Sequence, residues 1–390
     1  MSEGPELALM YFPGNYRWSI ALLLALGGAP WGGAEMGEIH RIGLRLNDRV
    51  GDDQAWYEEW TGMAAHLERQ GRADPHLRGA AAYLFRAAHY YHIGERFLQP
   101  KTDEGFARFK RGVDCFRDAA RQTAMPKLES VEVPYDGKSL PAILVHAYRP
   151  QGGRAPAMVY FDGLDITKEI QYFRGVPDLA LRGISCLIID GPGNGESIRF
   201  RGFPLDYRTE KPASAAFDYL ASRSDIDPHR IGVLGISLGG YFAPRAAAFE
   251  GRFACCVAWG AQWDYHAIWK RRFELLSKGS SVAMPTPTDH ILWMTGTSSR
   301  EAALKALEGF RLDGAVQKIE CPFLLVHGEG DAQIPLADAQ RCFDAVGSRQ
   351  KVFKVFTRDE GGYHHCQLDN TMIGIAYMWN WLEDVFQPMR

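Results

Sequence analysis

The spacing of apolar residues changes character once along the chain. Between about residues 16 and 124 it follows a helical period. Ile39, Ile42 and Leu46, and then Ala80, Leu84, Ala87 and Ala88, share single helix faces. Alanine is frequent there, β-branched runs are absent, and Pro75, Pro100 and Pro126 fall where helices would end. An apolar run at 20–26 is far shorter than the ~18 residues a membrane span needs, so it is read as a buried helix.

From about residue 129 short β-rich runs take over, at 130–135, 142–147, 157–161, 184–189, 231–236, 255–259, 323–327 and 352–356. The first two flank a turn containing Asp136-Gly137, a hairpin signal. Several others are nearly all apolar, as strands covered on both faces must be. Helical patterns at 213–223 and 337–346 lie between them. This alternation predicts an α/β fold with a doubly wound, mostly parallel eight-stranded sheet. One interval breaks the rhythm. About 60 residues between Trp259 and Pro322 hold no convincing strand, too many for a simple connection. The expected organisation is a helical N-terminal region over 1–128 and a core over 129–390, with a helical lid insertion at about 261–316.

Composition adds exclusions. The 44 Lys+Arg and 47 Asp+Glu nearly balance, leaving a net charge of −3, which argues against a nucleic-acid binder with its basic excess. Hydrophobic residues at 46% supply a core, so the chain is not a disordered one. The seven cysteines include no C-x-x-C pair and sit mostly in apolar runs. They read as small buried hydrophobes in a reducing, cytoplasmic setting, and no export leader or metal site is expected.

The strongest chemical signal is Gly235-Ile236-Ser237-Leu238-Gly239-Gly240, which follows an apolar run and precedes a helical pattern. That is the strand–turn–helix context of a G-x-S-x-G nucleophile elbow. Glycines two before and two after the serine let the turn close, and Ser237 becomes the candidate nucleophile. The Leu238 N–H, at the start of the next helix, is a candidate oxyanion donor. A second donor is expected from Gly163 or Leu164, in the loop after 157–161. The acid should follow a later strand, where Asp331 is preferred and Glu329 is the other carboxylate in reach. The base should follow the last strand, where His364 and His365 compete and local pattern does not choose. Adjacent histidines rarely face one ion, so no metal is assigned to them. The loop Asp190-Gly191-Pro192-Gly193-Asn194-Gly195 lacks the Lys-Ser/Thr ending of a phosphate loop and is read as structural.

These motifs, with Gly163-Leu164-Asp165, Lys168-Glu169, Trp259-Gly260-Ala261 and His365-Cys366, resemble those of α/β-hydrolases. More narrowly, the whole chain resembles the subgroup containing 2,6-dihydroxypseudooxynicotine hydrolase, the fungal pigment-pathway hydrolases that shorten polyketides, and fermentation/respiration-switch-like esterases. The resemblance implies that the base is His365, the histidine followed by cysteine. It implies a composite cap made of the N-terminal helices and the insertion, and a glutamate of the insertion, near Glu274, in the chemistry.

The expected activity is hydrolysis of a C–C bond next to a carbonyl, through a Ser-His-Asp triad and an acyl-enzyme, without metal or organic cofactor. A carboxylesterase or thioesterase, and an acyltransferase or cyclase, are the alternatives that use the same triad. Trp263, Tyr265 and Trp269, with Trp293, would line a pocket for a bulky aromatic or polyketide-like small molecule. Glu35 and Glu38 are further carboxylates near the cap, expected on a solvated helix face. Neither a nucleic acid nor a membrane is an expected partner. A homodimer is compatible with the sequence, which does not fix the oligomeric state.

Overall fold

The structure, a computed structural model, describes residue 7 and residues 9–386. The outer ends of the predicted 1–128 and 129–390 regions therefore lie outside the described residues. Five helices come first: α1 (Tyr16–Leu26), α2 (Met36–Leu46), α3 (Asp53–Ala73), α4 (Leu77–Glu95) and α5 (Asp103–Gln122). Side chains close their exposed N–H groups as capping physics requires. Asn15 accepts from Trp18 N, Asp52 from Gln54 and Ala55 N, and Thr102 from Gly105 N. The apolar run at the start became α1, buried from Trp18 to Ala25.

The eight strands are β1 (Leu128–Tyr135), β2 (Lys138–Val145), β3 (Ala155–Phe161), β4 (Ser185–Ile189), β5 (Ile226–Ile236), β6 (Cys256–Trp259), β7 (Phe323–Gly328) and β8 (Lys351–Phe356). They form one sheet in the order β1-β2-β4-β3-β5-β6-β7-β8, antiparallel through β1, β2 and β4 and parallel onward. Asp136 and Gly137 take φ of 47° and 71°, so the predicted hairpin closes on a pair of left-handed residues. Short helices α6 (Lys168–Tyr172), α7 (Val176–Leu181) and α8 (Gly195–Phe200) flank β4, and α9 (Glu210–Ala221) precedes β5. Beyond β5 comes α10 (Gly239–Phe249). The stretch between β6 and β7 holds α11 (Tyr265–Ser277), α12 (His290–Thr295) and α13 (Arg300–Leu307), as its lack of strand pattern predicts. The last described helices are α14 (Leu336–Ala345) and α15 (Thr371–Phe386).

Alternate strand residues serve opposite layers. Met158, Tyr160, Leu234 and Val257 join the core shared with α1–α5 and α15. Val159, Phe161, Val233 and Cys256 join the core under α9, α10 and the insertion. Among the described residues no helix is long and apolar enough to cross a membrane.

Buried ion pairs tie the three parts together near the carboxyl ends of the strands. Glu95 of α4 meets Arg199 of α8 at 2.6 Å and Lys101 at 2.8 Å. Arg199 also holds Asp165 at 2.9 Å, and His290 of α12 lies 3.0 Å from the same carboxylate. Beside this set, Lys168 contacts Glu169, Asp190 and Glu196 at 2.7–2.8 Å, and Arg117 of α5 reaches Glu196 at 3.1 Å. Removing one member leaves uncompensated buried charge, which costs more than the intact pair contributes. Arg199→Met is therefore expected to lower unfolding free energy by about 3–5 kcal/mol in denaturant titration. A variant as stable as the parent protein would contradict this assignment.

Candidate active site

Ser237 stands between β5 and α10 with φ of 59°, a conformation that side-chain-bearing residues adopt at a cost of about 1–3 kcal/mol. Its N–H donates to the Trp259 carbonyl at 2.7 Å. The glycines around it are there for space. A Cβ on Gly235 would overlap the Gly239 carbonyl, and one on Gly240 would overlap that of Gly260. One on Gly239 would come within 2.7 Å of the Phe161 oxygen.

Two later loops meet the serine. His365 Nε2 lies 2.9 Å from Ser237 Oγ, and His365 Nδ1 lies 2.7 Å from Asp331 Oδ2. Asp331 follows β7, and its Oδ1 accepts from the N–H groups of Gln333 (2.8 Å) and Ile334 (3.0 Å), which fixes the carboxylate's orientation. The loop after β8 is folded around Asp369, which accepts from the N–H groups of Gly362, Tyr363 and His364. Cys366 and Gln367 then take φ of 48° and 51°, and Trp259 Nε1 donates to Gln367 Oε1 at 2.6 Å. The competing residues sit elsewhere: Glu329 is exposed and accepts from Arg358 N, and the His364 ring packs on Tyr363.

Burial lowers the proton affinity of His365, but the Asp331 carboxylate raises it and prevails, so its pKa is raised. Burial raises Asp331, and His365 lowers it below the ordinary carboxylate value. The Asp331 carboxylate thus favours the protonated form of the imidazole.

The loop after β3 passes directly over the serine. A Cβ on Gly163 would sit 3.0 Å from Ser237 Cβ and 3.6 Å from its Oγ. Asn194 Nδ2 donates to the carbonyls of Gly163 (2.7 Å) and Ile166 (3.3 Å) and so ties this loop down. Leu238 is buried at the N-terminus of α10, and Leu164 lines the cavity beside Ser237.

That cavity lies beside Ser237 and His365. Its apolar wall comes from Ile20 and Leu24 of α1, Ile166, Ile236 and Leu368, and the insertion contributes Pro285. Its polar wall is Arg96, Gln171, Arg174 and Gln333. The expected aromatic lining is overturned. Tyr265 and Trp269 are buried in the insertion's own core, 5.9 Å from the Phe310 ring and 5.4 Å from that of Phe273. Trp263 is half-buried against the same core, and Trp293 packs near Phe106. Glu274 is exposed, because α11 buries the face carrying Tyr265, Ile268, Trp269, Arg272 and Phe273 and turns position 274 outward. Glu35 is exposed, and Glu38 is held by Arg86 at 3.1 Å and Tyr90 OH at 2.9 Å.

Sequence reasoning missed Asn194, Arg96, Gln171, Arg174 and the α1 roof. Only the position of Asn194 after β4, beside the elbow, offered a signal. Among the described residues no cluster of three His, Cys, Asp or Glu side chains is placed to hold a metal ion.

Comparison with known proteins places this geometry in context. The esterase FrsA-like family matches residues 46–273, and the prolyl oligopeptidase family matches residues 175–388. Hydrolase acrC of Aspergillus aculeatus is 27% identical over 97% of this chain and 99% of its own length. The 2,6-dihydropseudooxynicotine hydrolase of Paenarthrobacter nicotinovorans is 28% identical over 88% of this chain and 89% of its own. The 20-hydroxy-prefusarin hydrolase FUS2 of Gibberella moniliformis is 27% identical over 96% and 97%. The crystal structure of the 2,6-dihydroxy-pseudo-oxynicotine hydrolase superposes with a TM-score of 0.75 at 25% identity, covering 92% of this chain and 95% of that one.

The raised His365 pKa fixes the sign of a pH effect. Attack by Ser237 needs neutral imidazole, so labelling by a fluorophosphonate should rise with pH through a midpoint above the ordinary histidine value. Asp331→Asn should move that midpoint to lower pH and slow labelling by about 10⁴-fold. A midpoint unmoved by Asp331→Asn would contradict the coupling.

Proposed function

The chain belongs to the esterase FrsA-like and prolyl oligopeptidase families and is an α/β-hydrolase, and we propose that it hydrolyses a C–C bond beside a carbonyl of a small molecule. The observation that carries this reading is the continuous relay from Ser237 Oγ through His365 to Asp331 at the wall of a cavity. Relatives of nearly full length carry names of hydrolases acting on 2,6-dihydropseudooxynicotine and 20-hydroxy-prefusarin, which supports a small organic molecule as substrate.

In this reading His365 takes the Ser237 proton while Oγ bonds to the carbonyl carbon. The N–H groups of Leu238 and of Gly163 or Leu164 hold the oxyanion. When the tetrahedral adduct collapses, the C–C bond breaks and its electron pair leaves as an enolate. His365 returns the proton to that carbon, and a second carbonyl β to the first makes the leaving group stable enough to depart. Water, activated by the same histidine, then adds to the acyl-enzyme and releases a carboxylic acid. The helices at 16–122 and the insertion between β6 and β7 act as two parts of one cap, and α1 keeps bulk water from the enolate. The free thiols of the described cysteines support assignment to the reducing cytoplasm.

Ester hydrolysis is the second reading, favoured by the match to the esterase FrsA-like family. There an alkoxide leaves in place of the enolate.

Incubation with 1-phenyl-1,3-butanedione and, separately, p-nitrophenyl acetate tests both. The C–C reading expects benzoate plus acetone, or acetate plus acetophenone, with the products heavier than the diketone by one water. Rapid ester turnover with no diketone cleavage would replace it by the esterase reading. Ser237→Ala should reduce either activity by about 10³-fold or more, and near-parent turnover would remove the nucleophile assignment.

A further inference from the structure

Three buried cations near the loop after β3 are paired. Arg199, Lys168 and Lys101 each meet a carboxylate at 2.6–2.8 Å. The two arginines of the Ser237 cavity are the contrast. Arg174 is 2% exposed, and its Nε and Nη1 have no protein partner. Its Nη2 makes one long contact, 3.4 Å, to the Cys366 carbonyl, and its guanidinium carbon lies 5.1 Å from the Trp259 ring centroid. Among the described residues no carboxylate forms an ion pair with Arg174. Arg96 is equally unpaired: Nη2 reaches the Leu164 carbonyl at 3.3 Å and Nε reaches nothing.

Gln171 completes the set. It is fully buried, and neither atom of its amide has a protein partner. Arg174 N donates to the Gln171 carbonyl at 3.0 Å, so one turn delivers both side chains to the wall facing Ser237 and His365. Orphaned donors of this kind are costly unless something in the cavity accepts from them. A planar guanidinium beside an amide matches an anionic oxygen, and its stacking on Trp259 fixes the fork's direction. Burial lowers both arginines, Arg96 to about 10, which leaves them cationic at neutral pH.

We propose that Arg174 and Gln171, supported by the charge of Arg96, form the substrate's anion subsite and select small molecules with an enolate or carboxylate oxygen near the scissile carbonyl. This rests on the C–C reading for its purpose: the same subsite would hold the oxygen of the departing enolate. The proposal concerns binding, so it is tested apart from turnover.

Isothermal titration at pH 7.5 with 1,3-cyclohexanedione, an acidic diketone present as its enolate, is compared with neutral cyclohexanone and with benzoate. The parent protein should bind the enolate about tenfold or more tighter than cyclohexanone, the size of a hydrogen bond to a charged group. Arg174→Met should abolish that preference, Arg174→Lys should retain part of it, and Gln171→Leu should weaken it about threefold or more. Thermal melts identify any variant that has not folded, and the remaining variants then carry the test. Benzoate binding tighter than the enolate assigns the subsite to a carboxylate, and the reverse assigns it to a diketone. Equal affinity for enolate and cyclohexanone, no binding of either anion up to about 10 mM, or a preference surviving Arg174→Met overturns the proposal. Anion binding without diketone cleavage would leave the subsite standing and remove only the C–C reading.

Discussion

A backbone turn that only glycine neighbours permit governs this molecule. Ser237 holds φ of 59° because β5 ends and α10 begins within two residues of it. Their backbones then pass so close that a methyl at 235 or 240 would overlap a carbonyl. That closeness sets the position of Oγ relative to the sheet, and the loops after β7 and β8 are built to that position. Asp331 is locked by two N–H groups of its own loop, and the Asp369 carboxylate gathers three N–H groups of the loop that carries His365. The strain at the serine persists because the surrounding packing over-determines it.

The second constraint is electrostatic. The loop that crosses the serine begins at the end of β3 and runs into a set of buried charges. Asp165 is shared by Arg199 and His290, and Lys168 by three carboxylates. Glu95 and Arg117 bring α4 and α5 into the same set. The N-terminal helices are thus fastened to the loop beside Ser237 by charge as well as by apolar packing. Such pairs contribute little net stability against an apolar alternative, but their geometry is exacting. The loop they fasten carries Gly163, whose backbone lies against Ser237.

The change of hydrophobic period made the architecture legible, because strands buried on both faces and amphipathic helices carry opposite patterns. The elbow was legible for a steric reason, since glycine at 235 and 239 answers a clash that any side chain would create. Asp331 was legible by its place after a strand. The choice between His364 and His365 was not, since adjacent residues share one loop, and only the resemblance favoured His365. The cap failed for a different reason. Aromatic residues fill hydrophobic cores as readily as they line pockets, and Tyr265 and Trp269 do the former. Arg174 and Gln171 were invisible because their significance lies in the absence of a protein partner, a property of packing that no spacing encodes.

Covalent transfer of an acyl group to Ser237 is the central step of the proposed reaction. Rapid acid quench of the enzyme during turnover of 1-phenyl-1,3-butanedione, followed by peptide mass spectrometry, reads this directly. A benzoyl or acetyl group is expected on the peptide carrying Ser237. Product formation with that peptide unmodified throughout, or an acyl group carried by another residue, would contradict it.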